Sequence, residues 1–432
     1  MISNWKTMAL AAASMIPLAG AWGQPAAQAP TPRATIAQPT APATASDPIA
    51  PLPDAAVPPP APVLPPPIWM PGDAQALLTV IPGLAAEGLD PRDYDDSALE
   101  TTLRQGDPMA MSKAATDLYR RIASDLAQGH VRGADRNEWH IKDDKFGEEE
   151  QMAYLRRALA EHNIIGSLRA LLPTHPQYLS LKAALARADK ADTKTVHRIR
   201  LNMDRWRWLP KDLGDKYIIV NVPSFHATLV ENGATRWKRR AIAGAIKTKT
   251  PQISATATGV VINPWWEVPP SIGREVAGKK GYVAVKGKDG KVQRWRQPPG
   301  PSNALGKMKF VMPNSEAIYL HDTNARSRFN SEVRALSHGC VRTQDIVDLA
   351  KLLLADDNGE WTPEKVDEQI ASGKTVTANF VKPLPVYIVY FSAAALNDGT
   401  IVRYSDLYNR DDEVIAALLD GPKKGGMQTA AR

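Results

Sequence analysis

The sequence predicts an α+β fold in which a helical domain, residues 68–195, precedes a mainly β domain, residues 196–415. Three observations carry this expectation. From Trp69 to about Lys190 apolar residues recur at three- and four-residue steps, the mark of amphipathic helices. Beyond Gly214 the apolar period changes to two, as strands require. Asn-Gly and Asp-Gly pairs punctuate the second region, and these are the strongest short hairpin signals. A chain of 432 residues with 44% hydrophobic and 23% charged residues has the composition of a globular protein and the length of more than one domain.

Taken in order, the chain opens with Lys6, an apolar run over residues 8–22 and small residues at Ala21 and Gly23. This is the layout of a secretory signal peptide, residues 1–23, with an uncleaved signal anchor as the alternative. No Cys follows the run, so lipoprotein attachment is excluded. Residues 24–67 hold 15 Pro and only three charges, Arg33, Asp47 and Asp54, a composition that reads as a semi-rigid tether or a passive linker. Helices follow. Ala115, Leu118, Tyr119, Ile122, Ala123 and Leu126 share one face, with Gly129 where a C-terminal cap belongs. Met152, Leu155 and Leu159 repeat the pattern, as do Tyr178, Leu181 and Leu185 after Pro176. Val196, Ile199, Met203 and Trp206 lead into NMDRWRWLP.

In the β region, residues 217–222 and 225–230 read as strands, and Asn232-Gly233 as the turn into a returning strand over 235–242. Asp289-Gly290 and Asp398-Gly399 mark two further hairpins. One helix is expected there, with Thr343 as N-cap, Asp345 in the first turn, and Ile346, Leu349, Ala350 and Leu353 on its buried face. Residues 416–432 read as a flexible tail.

The chemistry concentrates in residues 318–342, IYLHDTNARSRFNSEVRALSHGCVR. Cys340 is the only cysteine of the chain, so it serves neither an intramolecular disulfide nor a multi-cysteine zinc site. An apolar strand delivers His321, and Ser-His-Gly-Cys sits just before the expected helix, where a thiol pKa would be lowered. Gly339 lets the backbone bend so that nearby amides could face an oxyanion. Two plainer readings stand beside this one: a lone cysteine as a small buried hydrophobe, and a metal site formed by His321, His338 and Cys340 with Asp322, whose ligand spacing is awkward. Arg342 reads either as a surface charge or as a fork for a carboxylate. His130, His140, His162, His175, His197 and His226 are scattered and read as structural.

The run YLHDT, 18 intervening residues between His321 and Cys340, and SHGCVR together resemble the catalytic signature of the bacterial murein L,D-transpeptidases. NMDRWRWLP at 202–210, VINPWWEVPPSI at 261–272, PGPSNALGKMKFVMPNS at 299–315 and the later PVYIVY are similar, in order, to the large periplasmic members. The resemblance covers about residues 196–415 and implies an L,D-transpeptidase catalytic domain preceded by a helical scaffold domain. The short segment before NMDRWRWLP leaves no room for the peptidoglycan-binding module of many large members.

By this resemblance Cys340 is the nucleophile and His321 the proton donor and acceptor, oriented by the main chain of Asp322. His338, Gly339 and Ser337 shape the oxyanion pocket, while Ser337, Tyr319 and Arg342 meet the substrate. The implied reaction is attack on a tetrapeptide stem, release of D-Ala, a thioester, and a 3→3 cross-link to an amine of a second peptidoglycan stem. It needs no cofactor. Water, a free D-amino acid or a protein lysine as acceptor would give carboxypeptidase, exchange or anchoring activities, and a non-catalytic wall-binding scaffold is the rival of another class. Carbapenem acylation of the thiol is also implied, as is a periplasmic location. Residues 264–305 read as a mobile cap over the site or as an ordinary hairpin with core tryptophans. The net charge of +7 is localised: residues 214–310 hold 17 Lys and Arg against five Asp and Glu. For an exported protein this points to a carboxylate-rich wall polymer and away from nucleic acid.

Overall fold

The computed structural model describes residues 65–142, 146–357, 359–396 and 398–420. The signal peptide and nearly all of the proline-rich segment lie outside them. Seven helices come first: α1 (Pro71–Leu78), α2 (Ser97–Gln105), α3 (Pro108–Gln128), α4 (Glu148–Ala160), α5 (Ile164–Arg169), α6 (Pro176–Arg187) and α7 (Thr193–Arg207). Helix α3 forms as its sequence directs. The Asp107 carboxylate accepts from the amides of Met109 and Ala110 at 3.0 and 3.1 Å, Pro108 fills the first turn, and Gly129 ends the helix at φ +85°. Its apolar face joins Trp69, Leu77, Leu99, Leu155 and Leu168 in one core.

Helix α7 crosses the expected boundary at 195/196, so that boundary is corrected: NMDRWRWLP closes a helix of the helical region. The motif's charges are buried and paired. Asp204 accepts from the amides of His130 and Val131 at 2.7 and 3.1 Å and from the Trp208 indole at 3.0 Å. Arg207 donates to the Tyr178 hydroxyl at 2.7 Å, and Arg205 to Asp411 at 2.8 Å.

The β region begins with β1 (Lys216–Asn221), β2 (His226–Glu231), β3 (Ala234–Gly244) and β4 (Ile253–Ile262). Asn232 and Gly233 both take positive φ, as a two-residue hairpin turn of the favoured hand needs. Residues 264–305 then build their own small unit. Strands β5 (Trp266–Glu267), β6 (Val283–Lys286) and β7 (Val292–Gln297) form a three-stranded sheet, and α8 (Pro270–Val276) packs Ile272 and Val276 against Val268, Trp266 and Trp295. The chain returns through β8 (Met308–Val311), β9 (Leu320–His321), β10 (Ala335–Ser337) and β11 (Val341–Thr343). Helices α9 (Ile346–Asp357) and α10 (Pro363–Ser372) precede the long β12 (Val376–Val389), the hairpin β13 (Ala393–Ala395) with β14 (Ile401–Arg403), and α11 (Asp411–Leu419).

The large sheet runs β10-β3-β11-β9-β8-β4-β12-β1-β2, and a further β3–β2 pairing closes it into a barrel. Closure leaves no open edge in the ring. Ile218, Val260, Phe310, Leu320, Val341 and Val386 fill the core together with Ile346, Leu349 and Leu353 of α9.

Two further expectations are corrected. Thr343 is no helix cap: it lies in β11, paired with Ala241, and α9 starts at Ile346 after Asp345 at φ +51°. Pairing with β3 and β9 overrides the local capping signal. Nor is the chain a tail from residue 416, because α11 runs to Leu419 and buries Val414 and Leu418 beside Trp208.

Candidate active site

The site is made by strand register. Strands β9 and β11 pair in parallel, Val341 beside Leu320 and Arg342 beside His321. Val341 and Leu320 are fully buried in the barrel core. Side chains alternate along a strand, so Tyr319, His321, Cys340 and Arg342 share the opposite face. The Val341 amide donates to the Tyr319 carbonyl at 3.0 Å, which carries the pairing back to Cys340. On the other side Lys309 of β8 pairs with His321 and joins the same face. The ring centroids of Tyr319 and His321 are 5.6 Å apart, Lys309 Nζ lies 5.1 Å from the Tyr319 ring, and the Tyr319 hydroxyl sits beside both the Cys340 thiol and the Trp266 indole.

Electrostatically the face is a cationic pocket holding neutral groups. Burial, reinforced by the Arg342 and Lys309 charges and opposed by the Asp322 backbone, pushes His321 down to about 3. Its Nδ1 is buried and makes no hydrogen bond among the described residues. Burial raises the Cys340 thiol above its ordinary value of 9.0, outweighing the opposite pull of Tyr319, Lys309 and Arg342. This corrects the expectation of a thiolate at a helix N-terminus, since Cys340 precedes a strand. The thiol points at the Ala317 carbonyl, 3.8 Å away. Burial also lowers Arg342, whose guanidinium has no hydrogen bond or ion pair among the described residues and whose Nε is enclosed.

The SHGC turn is held from behind. Gly339 takes φ +115°, where a side chain would be strained, and a Cβ there would lie 3.2 Å from Ile318. Ser337 Oγ donates to the Cys340 carbonyl at 2.5 Å and accepts from the Gly339 amide at 3.2 Å. Ser337 is thus buried and occupied, so it braces the turn and does not line a substrate surface. The Gly339 amide is likewise engaged, whereas the Cys340 amide has no partner among the described residues. His338 is half-exposed, its Nε2 lying 3.5 Å from Glu275 of α8. The Asp322 carboxylate does not reach the imidazole: it accepts from the Lys307 amide at 2.9 Å and from Arg326 at 3.0 and 3.1 Å. Residues 264–305 therefore touch the site at two points, Trp266 and Glu275, while also packing their own tryptophan core.

Sequence reasoning missed Lys309, although period-two alternation in MKFV, with Met308 and Phe310 buried, carries the signal. It also missed Thr250, whose hydroxyl donates to the Gly339 carbonyl at 2.7 Å across 89 residues of chain. No local pattern announces such a contact. Among the described residues no three His, Cys, Asp or Glu side chains converge as metal ligands.

Residues 215–388 match the family model described as the L,D-transpeptidase catalytic domain (YkuD), and residues 65–185 match the scaffold domain model. A curated protein of Haemophilus influenzae, provisionally named an L,D-transpeptidase, is 31% identical over 255 residues, 53% of this chain and 51% of its own. The chain thus spans about half the length of that relative. Among solved structures, an L,D-transpeptidase from Mycobacterium smegmatis is 13% identical over 40% of this chain and 58% of its own, with a TM-score of 0.21. The catalytic domain of the Enterococcus faecium L,D-transpeptidase is 16% identical over 40% and 97%, with a TM-score of 0.18. The two family models match separate parts of the chain in order: a stretch similar to the scaffold domain precedes a stretch similar to the YkuD-type L,D-transpeptidase catalytic domain, and the chain's single cysteine lies in the second.

Proposed function

We propose that the protein is an exported murein L,D-transpeptidase acting in the periplasm, with Cys340 as nucleophile and His321 as its proton acceptor and donor. The observation that supports this most is the parallel β9–β11 register, which brings a histidine and the only cysteine onto one face beside an arginine that has no ion pair among the described residues.

The resting pair is a neutral thiol and a neutral imidazole. The sulfur attacks the carbonyl of the third residue of a tetrapeptide stem while its proton passes to His321. The Cys340 amide, without a partner among the described residues, is the donor for the oxyanion. The bond to D-Ala breaks, His321 returns the proton to the leaving amine, and a thioester remains. A second amine then attacks; its proton goes to His321 and on to the sulfur as the C–S bond breaks. Arg342 suits a substrate carboxylate. Such a carboxylate would also offset the Arg342 and Lys309 charges, which add to the effect of burial in holding His321 low, and so would move the base toward a useful pKa when substrate is present. Trp266 and the unit around it would exclude water from the thioester.

The test is incubation of the full chain with disaccharide-tetrapeptide and mass analysis of products. Cross-linked dimer shorter by one D-Ala is expected, and none with Cys340→Ala. Persisting product in that variant would sink the assignment. A carbapenem is expected to add once to the intact protein and not to Cys340→Ser.

A further inference from the structure

The turn that carries the nucleophile has its carbonyls tied down one after another. The Ser337 carbonyl accepts from the Ala245 amide and the Thr248 hydroxyl, both at 2.9 Å. The Gly339 carbonyl accepts from the Thr250 hydroxyl at 2.7 Å, and the Cys340 carbonyl from Ser337 Oγ. All but the last of these donors belong to the connection between β3 and β4. The bond to Gly339 has the largest consequence, because a trans peptide is planar and its C=O and N–H point in opposite directions. Fixing the Gly339 oxygen therefore fixes where the Cys340 N–H points, and that amide has no partner among the described residues. Glycine alone would not hold this peptide: at φ +115° Gly339 uses a freedom that leaves the plane after it loosely set.

Thr250 is prepared for this task. It is fully buried, and its hydroxyl accepts from the Gly244 amide at 2.8 Å, which directs its one proton to Gly339. Gly244 permits the close approach, since a Cβ there would collide with the Thr248 carbonyl. Tyr408 secures the other side: its buried hydroxyl accepts from the Thr250 amide at 3.1 Å and donates to the Gly244 carbonyl at 2.7 Å. The Tyr408 amide donates to the Tyr390 hydroxyl at 2.9 Å, and that hydroxyl donates to Asp406 at 2.6 Å. Asp406 also accepts from the amides of Arg410 and Asp411, both at 2.9 Å. Arg410 lies over the rings of Tyr390 and Tyr408 and grips Glu138, which borders the SHGC turn, while Asp411 meets Arg205 of α7. Tyr390, Asp406, Tyr408, Arg410 and Asp411 all lie past residue 388, where the similarity to the catalytic domain ends.

We propose that Thr250 and Tyr408 are positioning residues for thioester formation: Thr250 points the Cys340 amide at the oxyanion, and Tyr408, from the C-terminal segment, holds Thr250 in place. The inference rests on the transpeptidase reading above and adds what directs its oxyanion donor. Both residues act through the Gly339–Cys340 peptide and neither touches the reacting atoms. As sulfur bonds to the substrate carbonyl carbon, the carbonyl electron pair moves to oxygen, and the directed amide meets that charge. Without the Thr250 hydroxyl the peptide is free to turn and the donor is misplaced; one oxyanion donor supplies about 10²–10³ in rate. The segment beyond the matched stretch is thereby part of what makes the turn competent.

Thr250→Val, Thr250→Ser and Tyr408→Phe are made in the full chain, and thioester formation on Cys340 from disaccharide-tetrapeptide is timed by intact mass. Alkylation of the same thiol by iodoacetamide is timed beside it. Alkylation is displacement at a saturated carbon and develops no oxyanion, so it follows the thiol without the amide. Thr250→Val is expected to slow thioester formation at saturating donor by about tenfold or more, with alkylation and donor KM within about twofold of the parent. Thr250→Ser, which keeps the hydroxyl, should stay within about threefold of the parent, and Tyr408→Phe should lose about threefold or more with alkylation unchanged. Equal falls in alkylation and thioester formation would show a merely structural role and overturn the proposal. Thioester formation by Thr250→Val at the parent rate overturns it too, as does a serine variant no better than valine. Should Thr250→Val fail to fold, the ratio of the two rates in Tyr408→Phe decides, and an unchanged ratio counts against the proposal. Absence of any thioester in the unaltered protein would instead count against the transpeptidase reading itself.

Discussion

Two buried polar regions of this molecule are built on opposite terms. At the helical junction the buried charges are partnered: Asp204 collects four donors, Arg207 among them, Arg205 meets Asp411, Arg207 also meets Tyr178, and His130 bonds Asp125 at 2.8 Å. On the β8–β9–β11 face, His321 and Arg342 are enclosed without side-chain partners among the described residues, and the Cys340 thiol meets only the Ala317 carbonyl at 3.8 Å and Tyr319, with no charged partner. Leaving buried polar groups unmatched is costly, so natural structures seldom keep them without use. The junction uses burial to lock two domains; the site holds capacity open for a ligand.

The histidines express the contrast in titration. Burial lowers His130, but its bond to Asp125 and the surrounding carboxylates win, and it ends above 6.5. His321 is also lowered by burial, and with cations in place of carboxylates beside it nothing offsets that, so it ends near 3. The signs are opposite. The contribution of His130 to stability is complete below pH 6.5 and fades as pH rises through its elevated folded pKa. That of His321 is complete above pH 6.5 and is lost as pH falls toward 3.

Perturbing each region should separate the two roles. Cys340→Ala should abolish product while leaving the melting temperature within about 2 °C of the parent, because it removes little packing; calorimetry beside the product assay checks this. His321→Gln should lower turnover by about 10²–10⁴-fold, the usual contribution of a general base, and should flatten the fall in stability between pH 6.5 and 3, read from melting temperature against pH. Asp204→Ala should do the reverse, costing about 3 kcal/mol or more of stability by orphaning three buried donors, measured by denaturant titration, with activity per folded molecule preserved. The smallest effect is kinetic: alkylation of Cys340 by iodoacetamide should still be accelerating above pH 9.0, since the thiol lies above that value. A plateau near neutrality would mean the thiol is already ionised and the face less apolar than described.

What could be read directly from the sequence was whatever local interactions decide. Helix α3 has its cap, its proline and its terminal glycine within one segment, and the Asn232-Gly233 hairpin is specified by two residues. The residue types at 319, 321, 340 and 342 were likewise legible, because they stand in one contiguous motif. Thr343 misled because a threonine before an apolar period mimics a cap, and only pairing with β3, a hundred residues upstream, makes it strand. Ser337 misled in a related way: a hydroxyl beside a nucleophile suggests substrate, yet it is spent on the turn's own backbone. Glu138 and Thr250 could not be found at all from local pattern: Thr250 reaches the SHGC turn only once the barrel strands have paired, and Glu138 only once the helical and β regions have come together.

The shortness of β9 and β11 has an evolutionary consequence. Two residues and three residues suffice to align the face, braced by β10 and Ser337, whereas residues 323–334 of the intervening loop pair with neither strand. Insertions within residues 323–334 should therefore be tolerated and open to drift, a free margin for new substrate preferences. One residue added at 341–343 would instead exchange inward for outward and bury the thiol in the core. Variation in this chain is thus partitioned by a boundary only a few residues wide, lenient on one side and lethal to catalysis on the other.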